Sequence, residues 1–160
     1  MITETFVLSE AERAAILHEM GHYEDPSAAS IEALKIVQHH RGYVADEAIP
    51  VIAALIGISA AELEGVATFY SLIFRRPVGR HVIKVCDSLA CMLTGYADVV
   101  AAIKQTLNID YGQTTTDNRF TLLPICCLGA CDKGPVLMID DDTHSQLDAN
   151  KVAQLLEQYS

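Results

Sequence analysis

The sequence predicts an α+β protein with a helical first half and a small α/β layer structure as its second half. Through the first half, apolar residues recur at helical spacing between capping residues and glycine stops. From His81 onward, runs rich in β-branched residues alternate with helical segments. The helical pattern breaks at residues 75–79, which contain a proline and a glycine. We therefore expect a helical domain over residues 1–76 and an α/β domain over residues 77–160.

Four helices are expected in the first half. They are opened by Ser9, Asp25, Asp46 and Ser59. Ser9 and Ser59 are each followed three residues later by a glutamate, which is the spacing of a capping box. The first and fourth helices are expected to bury apolar stripes. These stripes are Ile16, Leu17 and Met20, and Val66, Phe69 and Leu72.

The second half is expected to form a layered sheet and two helices. The predicted strands are residues 81–85, 119–125, 136–139 and 145–147. The predicted helices are residues 96–107 and 151–159. A strand, a helix and a further strand in this order indicate a compact α/β arrangement.

Charge and hydropathy narrow the class of protein. The 160-residue chain has a formal net charge of −10, which disfavours binding to nucleic acid or to an anionic membrane surface. The longest uncharged stretch has 14 residues, too few to span a bilayer. No basic segment followed by an apolar run opens the sequence. We therefore expect a soluble protein with no direct membrane insertion, in which clustered cysteines are metal ligands or redox centres.

Two cysteine pairs carry the chemistry. Cys86 and Cys91 are separated by four residues, and Cys127 and Cys131 by three. Each pair follows a predicted strand, so two adjacent loops would bring four sulfurs to one point. Such spacings suit either zinc or an iron–sulfur cluster, and they match neither common ferredoxin run. From the spacing alone, zinc and an iron–sulfur cluster are equally favoured.

Other uses of the cysteines receive less support from the sequence. A thiol–disulfide oxidoreductase needs two cysteines two residues apart, and the sequence has no such pair. A zinc-stabilised binding module without redox activity remains an alternative. The fifth cysteine, Cys126, is expected to be a small buried hydrophobic residue with no function.

Four segments together resemble a known family. They are C-C-L-G-A-C-D-K-G-P at residues 126–135, C-D-S-L-A-C at 86–91, E-G-V-A-T-F-Y-S at 64–71 and D-D-D-T-H at 140–144. The family comprises the thioredoxin-like 2Fe-2S subunits of bacterial NADH:quinone oxidoreductase, respiratory complex I. The similarity extends from about Ser9 to Tyr159.

The resemblance implies a fold and a site. The fold would be an N-terminal helical bundle followed by a thioredoxin-like α/β 2Fe-2S ferredoxin domain. The ligands of the 2Fe-2S cluster would be Cys86, Cys91, Cys127 and Cys131. Cys126 is not a ligand in this interpretation.

The resemblance also implies a function. The chain would be an electron-transfer subunit that exchanges single electrons with the FMN of a flavin-bearing, NADH-binding partner subunit. An adjacent multi-cluster subunit is a second candidate partner, and the assembly would lie on the cytoplasmic face of the cell membrane. The alternative is the equivalent diaphorase subunit of an NAD-linked hydrogenase or formate dehydrogenase. The chain alone is not expected to oxidise NADH, because no glycine-rich dinucleotide fingerprint follows a strand.

Overall fold

The computed structural model describes residues 6–159 and divides into two compact units between Pro77 and Val78. The first unit is helical. Its helices are α1 (Glu10–Met20), α2 (Ser30–Arg41), α3 (Ala48–Ile56) and α4 (Ala60–Phe69), with a 3₁₀ turn at Pro26–Ala29. Fully buried side chains from all four helices form its core. The largest are Ile16, Leu34, Ile52 and Leu63.

Local capping signals explain where α1 and α4 begin. At α1, the Ser9 N–H donates to Glu12 Oε2 at 2.7 Å and the Glu12 N–H donates to Ser9 Oγ at 3.2 Å. Ser59 and Glu62 form the same reciprocal pair before α4. Both predicted capping boxes are therefore present, and each satisfies two N–H groups that the helix itself leaves unpaired.

The predicted cap at Asp46 was wrong. Helix α3 begins at Ala48, and its N-cap position, Glu47, makes no side-chain capping bond. The carboxylate of Asp46 instead accepts a hydrogen bond from Arg75 Nη2 at 2.6 Å. The side chain of Asp46 was predicted to cap the helix from its local spacing. It binds instead to an arginine that is distant in the sequence.

Three residues of the predicted apolar stripes were also wrongly expected to be buried. Leu17, Phe69 and Leu72 are exposed, with Phe69 81% accessible. In α4 the buried residues are Leu63 and Ala67, one full turn apart. The helix ends at Phe69, so the spacing that included Leu72 extended beyond it.

A buried ion pair joins α1 to α2. Glu12 is only 1% exposed, and its two carboxylate oxygens accept from Arg41 Nε and Nη2, each at 2.6 Å. The hydrogen bonds from Arg41 lower the pKa of Glu12 to about 2, against the opposing effect of burial. The pair therefore stays charged wherever the unit is folded near neutral pH.

The second unit is an α/β structure with a four-stranded sheet. Its strands are β1 (His81–Cys86), β2 (Phe120–Ile125), β3 (Leu137–Ile139) and β4 (Asp142–His144), in the spatial order β2-β1-β3-β4. Strands β1 and β2 are parallel, and the β1–β3 and β3–β4 pairs are antiparallel. The helices are α5 (Leu89–Leu93), α6 (Tyr96–Leu107) and α7 (Ala149–Leu156).

The register of β1 and β2 positions the cysteine loops. Cys86 is paired with Ile125, so both strands end at the same edge of the sheet. The N–H of Asp87 donates to the carbonyl of Ile125 at 3.0 Å, which keeps the two chains adjacent past the last strand residues. The loops that carry the two cysteine pairs therefore leave the sheet side by side.

The fourth strand lies three residues earlier than the sequence predicted. Ile139 pairs with Asp142 across a two-residue turn, in which Asp140 has a positive φ of 52°. An aspartate tolerates this conformation better than most residues. The turn sets β4 at Asp142–His144, and residues 145–147 follow it as loop.

No single helix within residues 6–159 has both the length and the apolar composition needed to cross a bilayer. Helices α3 and α4 meet those criteria only as a pair, and the chain bends by 111° between them.

Candidate metal centre

The four predicted ligand residues are divided between a buried pair and an exposed pair. Cys86 ends β1 and is 2% exposed, and Cys91 lies on α5 and is 1% exposed. Cys127 and Cys131 lie on the loop after β2, and both are exposed. All five cysteines are free thiols.

The exposed pair has the spacing of two ligands on one tetrahedral ion. The Sγ atoms of Cys127 and Cys131 are 3.7 Å apart. Two sulfurs bound at about 2.3 Å to a tetrahedral ion would lie about 3.8 Å apart. Gly129 between them has a φ of 79°, and its N–H donates to Cys127 Sγ at 3.4 Å. The loop is thus folded around the sulfur in a conformation that favours glycine.

Opposing effects act on the pKa values of the two buried cysteines. Burial acts to raise the pKa of Cys86, but hydrogen bonds from Ser88 and from the Leu128 N–H outweigh it and lower that pKa. Burial and the neighbouring Cys86 raise the pKa of Cys91, and Cys131 adds to this increase. Cys86 Sγ lies 3.3 Å from Ser88 Oγ.

The sulfurs of the two pairs interact with one another. The hydrogen bond with Cys127 raises the pKa of Cys131, and the nearby Cys86 raises it further. Four mutually repelling thiolates need a cationic group at their centre to exist together. The donor set therefore fits an iron–sulfur core or a soft metal ion.

A close approach of the second loop to α5 brings the pairs together. A Cβ at Gly134 would lie 2.5 Å from Thr94 Oγ1 and 3.5 Å from the Cα of Cys91, so a larger residue would separate the loop from the helix. The Cys86 N–H donates to the Val136 carbonyl at 3.1 Å. Cys86, Cys91 and Val136 form one small buried cluster as a result.

One prediction at the site was wrong, and one helix at the site was not predicted. Cys126 is exposed, so its assignment as a buried hydrophobic residue was wrong. Helix α5 was not predicted, and it exposes Leu89 (72%), Met92 (54%) and Leu93 (78%) beside the buried Cys91. The signal was the local sequence L-A-C-M-L, in which four apolar residues surround the predicted ligand Cys91.

The family model described as thioredoxin-like [2Fe-2S] ferredoxin matches residues 16–160. The chain belongs to this family. Membership confirms the predicted α+β fold class with its thioredoxin-like domain, and the predicted 2Fe-2S cofactor.

Individual members of the thioredoxin-like [2Fe-2S] ferredoxin family are close in sequence. The E subunit of the NADH-quinone oxidoreductase of Pseudomonas aeruginosa is 64% identical over 157 residues, which cover 98% of this chain and 95% of that protein. The corresponding E subunit of Escherichia coli K12 has the same identity and coverage. The resemblance noted from the sequence motifs is therefore confirmed.

A solved structure shares the fold. The crystal structure of an NAD⁺-reducing [NiFe]-hydrogenase in its H₂-reduced state aligns with a TM-score of 0.68 and 24% identity over 82% of this chain. This chain spans only 22% of the hydrogenase chain. At that identity the likeness concerns the fold alone.

Proposed function

We propose that the chain is the electron-transfer subunit of an NADH-quinone oxidoreductase and that Cys86, Cys91, Cys127 and Cys131 hold its 2Fe-2S cluster. The observation that carries the proposal is the convergence of these four thiols at one edge of the sheet, with Cys127 and Cys131 at ligand spacing. The close identity to the E subunits of two such oxidoreductases, over nearly the whole chain, supports the choice of complex.

The burial pattern suggests how the ligands are shared. Cys127 and Cys131 would bind one iron and the buried Cys86 and Cys91 the other. The two members of each pair are at most five positions apart in the sequence, so each iron would be held by a short stretch of chain. The sheet register and the close approach at Gly134 then set the position of one pair against the other.

Residues next to the sulfurs affect how much negative charge the cluster can hold. A 2Fe-2S cluster held by four cysteines exchanges one electron at a low potential, of the order of −400 mV in plant-type examples. The Gly129 N–H and the Ser88 hydroxyl both lie against ligand sulfurs, and donors there stabilise added negative charge. Asp87 and Asp132, next to Cys86 and Cys131 in the sequence, act in the opposite direction.

We infer that the redox partner is a flavin-bearing, NADH-binding subunit that supplies both FMN and NADH. The chain has no glycine-rich nucleotide fingerprint of its own, so NADH chemistry has to come from another subunit. An adjacent multi-cluster subunit is a second proposed contact. Assembly with these subunits would place the chain on the cytoplasmic face of the membrane.

The exposed side chains of α5 are the proposed contact with the flavin subunit. Leu89, Met92 and Leu93 form an apolar surface on the short helix that carries Cys91. Apolar groups exposed beside a redox centre suit a permanent subunit interface, which excludes water and keeps cofactors close.

Replacing this surface should weaken assembly without removing the cluster. We expect Leu89→Ser with Leu93→Ser to lower the affinity for the flavin subunit at least about tenfold, since two exposed leucines would lose their burial on binding. Leu17→Ser is the matched control, because Leu17 is a 46% exposed leucine on α1. Co-purification with the flavin subunit measures the effect. Equal binding by the double variant and the control would contradict the proposed surface.

Anaerobic purification of the full chain tests whether the proposed ligands hold the cluster. We expect about two irons per chain, a visible absorption band, and a one-electron rhombic EPR signal after dithionite reduction. A colourless chain that contains one zinc would overturn the proposal and favour a structural binding module.

The diaphorase subunit of an NAD-linked hydrogenase or formate dehydrogenase remains the second candidate. The fold shared with the hydrogenase is its support. The E subunits of NADH-quinone oxidoreductase are far closer in sequence, and this favours the quinone-linked complex.

A further inference from the structure

We propose that His18, Glu19 and His22 form a second metal site, which takes a divalent transition-metal ion such as Zn²⁺. The site is separate from the cysteine centre and contains no sulfur. It lies at the carboxyl end of α1 in the helical unit.

The sequence of this segment has a metal-binding pattern. Residues 18–22 read H-E-M-G-H, two histidines four residues apart with a glutamate directly after the first. On a helix, this spacing puts both imidazoles on the same face, one turn apart. Two imidazoles and one carboxylate are a common donor set for zinc.

The backbone keeps the helical turn intact beyond the last residue of α1. Gly21 has right-handed helical angles, φ −67° and ψ −13°, and its N–H donates to the carbonyls of His18 and Glu19. The His22 N–H donates to the Glu19 carbonyl at 3.0 Å. The bonds from Gly21 to His18 and from His22 to Glu19 each span three residues, so the chain continues past Met20 as a tight turn. This turn leaves the ring centroids of His18 and His22 4.8 Å apart.

The side chains already converge. His22 Nδ1 is 3.3 Å from one carboxylate oxygen of Glu19, and His18 Nδ1 is 4.0 Å from the other. All three potential ligand atoms lie within 4.8 Å of one another. Around an ion with bonds of about 2.0–2.1 Å, tetrahedral ligand atoms lie about 3.3 Å apart. The side chains of His18 and His22 are 75% and 56% exposed, so they can rotate to bring the ligand atoms to this separation.

The chemistry of the donors defines the class of ion. Neutral imidazoles favour zinc, nickel and copper over calcium and magnesium. One carboxylate and a chain of net charge −10 both favour cation binding. With three protein ligands, the remaining coordination positions face solvent and would take water.

Zinc titration of the holoprotein tests the site. The full chain, with its cluster loaded and other divalent ions removed, is titrated anaerobically with ZnCl₂ and followed by calorimetry and by NMR of the imidazole C–H groups. We expect the His18 and His22 resonances to shift together with the first equivalent. His18→Ala and His22→Ala should each weaken zinc binding about tenfold or more, since each removes a direct ligand. Glu19→Gln should weaken it in the same direction.

A matched control comes from α2. His39 and His40 are exposed, and neither has a histidine, cysteine or carboxylate three or four residues away, so they lack the spacing of the proposed site. His39→Ala should leave zinc affinity unchanged. The proposal is overturned if His39→Ala weakens binding as much as His18→Ala, or if the first equivalent bleaches the cluster absorption while the His18 and His22 resonances stay in place.

Discussion

Cys127→Ala is expected to leave the chain with at least about tenfold less bound iron and no EPR signal after reduction, since one of the four proposed thiolate ligands is lost. Cys127 is exposed, so its removal creates no cavity in the core. The loss of iron would therefore reflect lost ligation and not unfolding. Iron analysis and far-ultraviolet circular dichroism on the same sample separate these two causes.

The neighbouring residue provides the control for this experiment. Cys126 is also exposed and also a free thiol, and its backbone carbonyl lies 3.8 Å from Cys86 Sγ. Cys126→Ala should keep its full iron content and its EPR signal. If Cys126→Ala lost the iron and Cys127→Ala kept it, the proposed ligand set would be wrong at this loop.

Arg41→Ala is expected to lower the free energy of unfolding of the helical unit by about 3 kcal/mol. The substitution leaves the carboxylate of Glu12 buried without its bidentate partner. Lys35→Ala is the matched control on the same helix, because Lys35 pairs with Glu32 in an exposed salt bridge. The control should cost less than about 1 kcal/mol. Urea unfolding followed by the helical signal measures both.

The cost of Arg41→Ala should depend on pH in one direction. Hydrogen bonds from Arg41, with a smaller contribution from Ser9, lower the pKa of Glu12 from 4.5 to about 2 in the folded chain, so the pair contributes its stability above the unfolded pKa. That contribution is lost as the pH falls through the folded pKa. The difference between the wild-type chain and the variant should therefore shrink between about pH 5 and about pH 2. A difference that stayed constant over this range would show that the ion pair is not its cause.

Local sequence signals predicted the starts of α1 and α4 correctly. Side-chain contacts between residues distant in the sequence could not be predicted from local spacing. Ser9 and Ser59 cap their helices because the partner of each lies three residues away. The carboxylate of Asp46 has an equally suitable spacing, but Arg75 binds it from 29 residues further along the chain. Phe69 was assigned to the core because the spacing carried no sign that α4 would end there.

The cysteine spacings predicted that the two pairs lie close together, but not that one pair is buried and the other exposed. Cys86 and Cys91 are buried because the sheet register and the Gly134 contact place the second loop against α5. Neither the register nor this contact can be read from the separations of four and three residues. The exposure of Cys126 follows from the same loop path, which is why composition alone misassigned it.

The unequal burial of the two cysteine pairs has a consequence for biogenesis. With the proposed ligand set, incoming iron and sulfide would meet the exposed thiols of Cys127 and Cys131 before the buried thiols of Cys86 and Cys91. Before maturation, the same loop presents three accessible thiols, with Cys126 among them. Accessible thiols are the ones open to oxidation, so the chain without its cluster is the form most sensitive to oxidants.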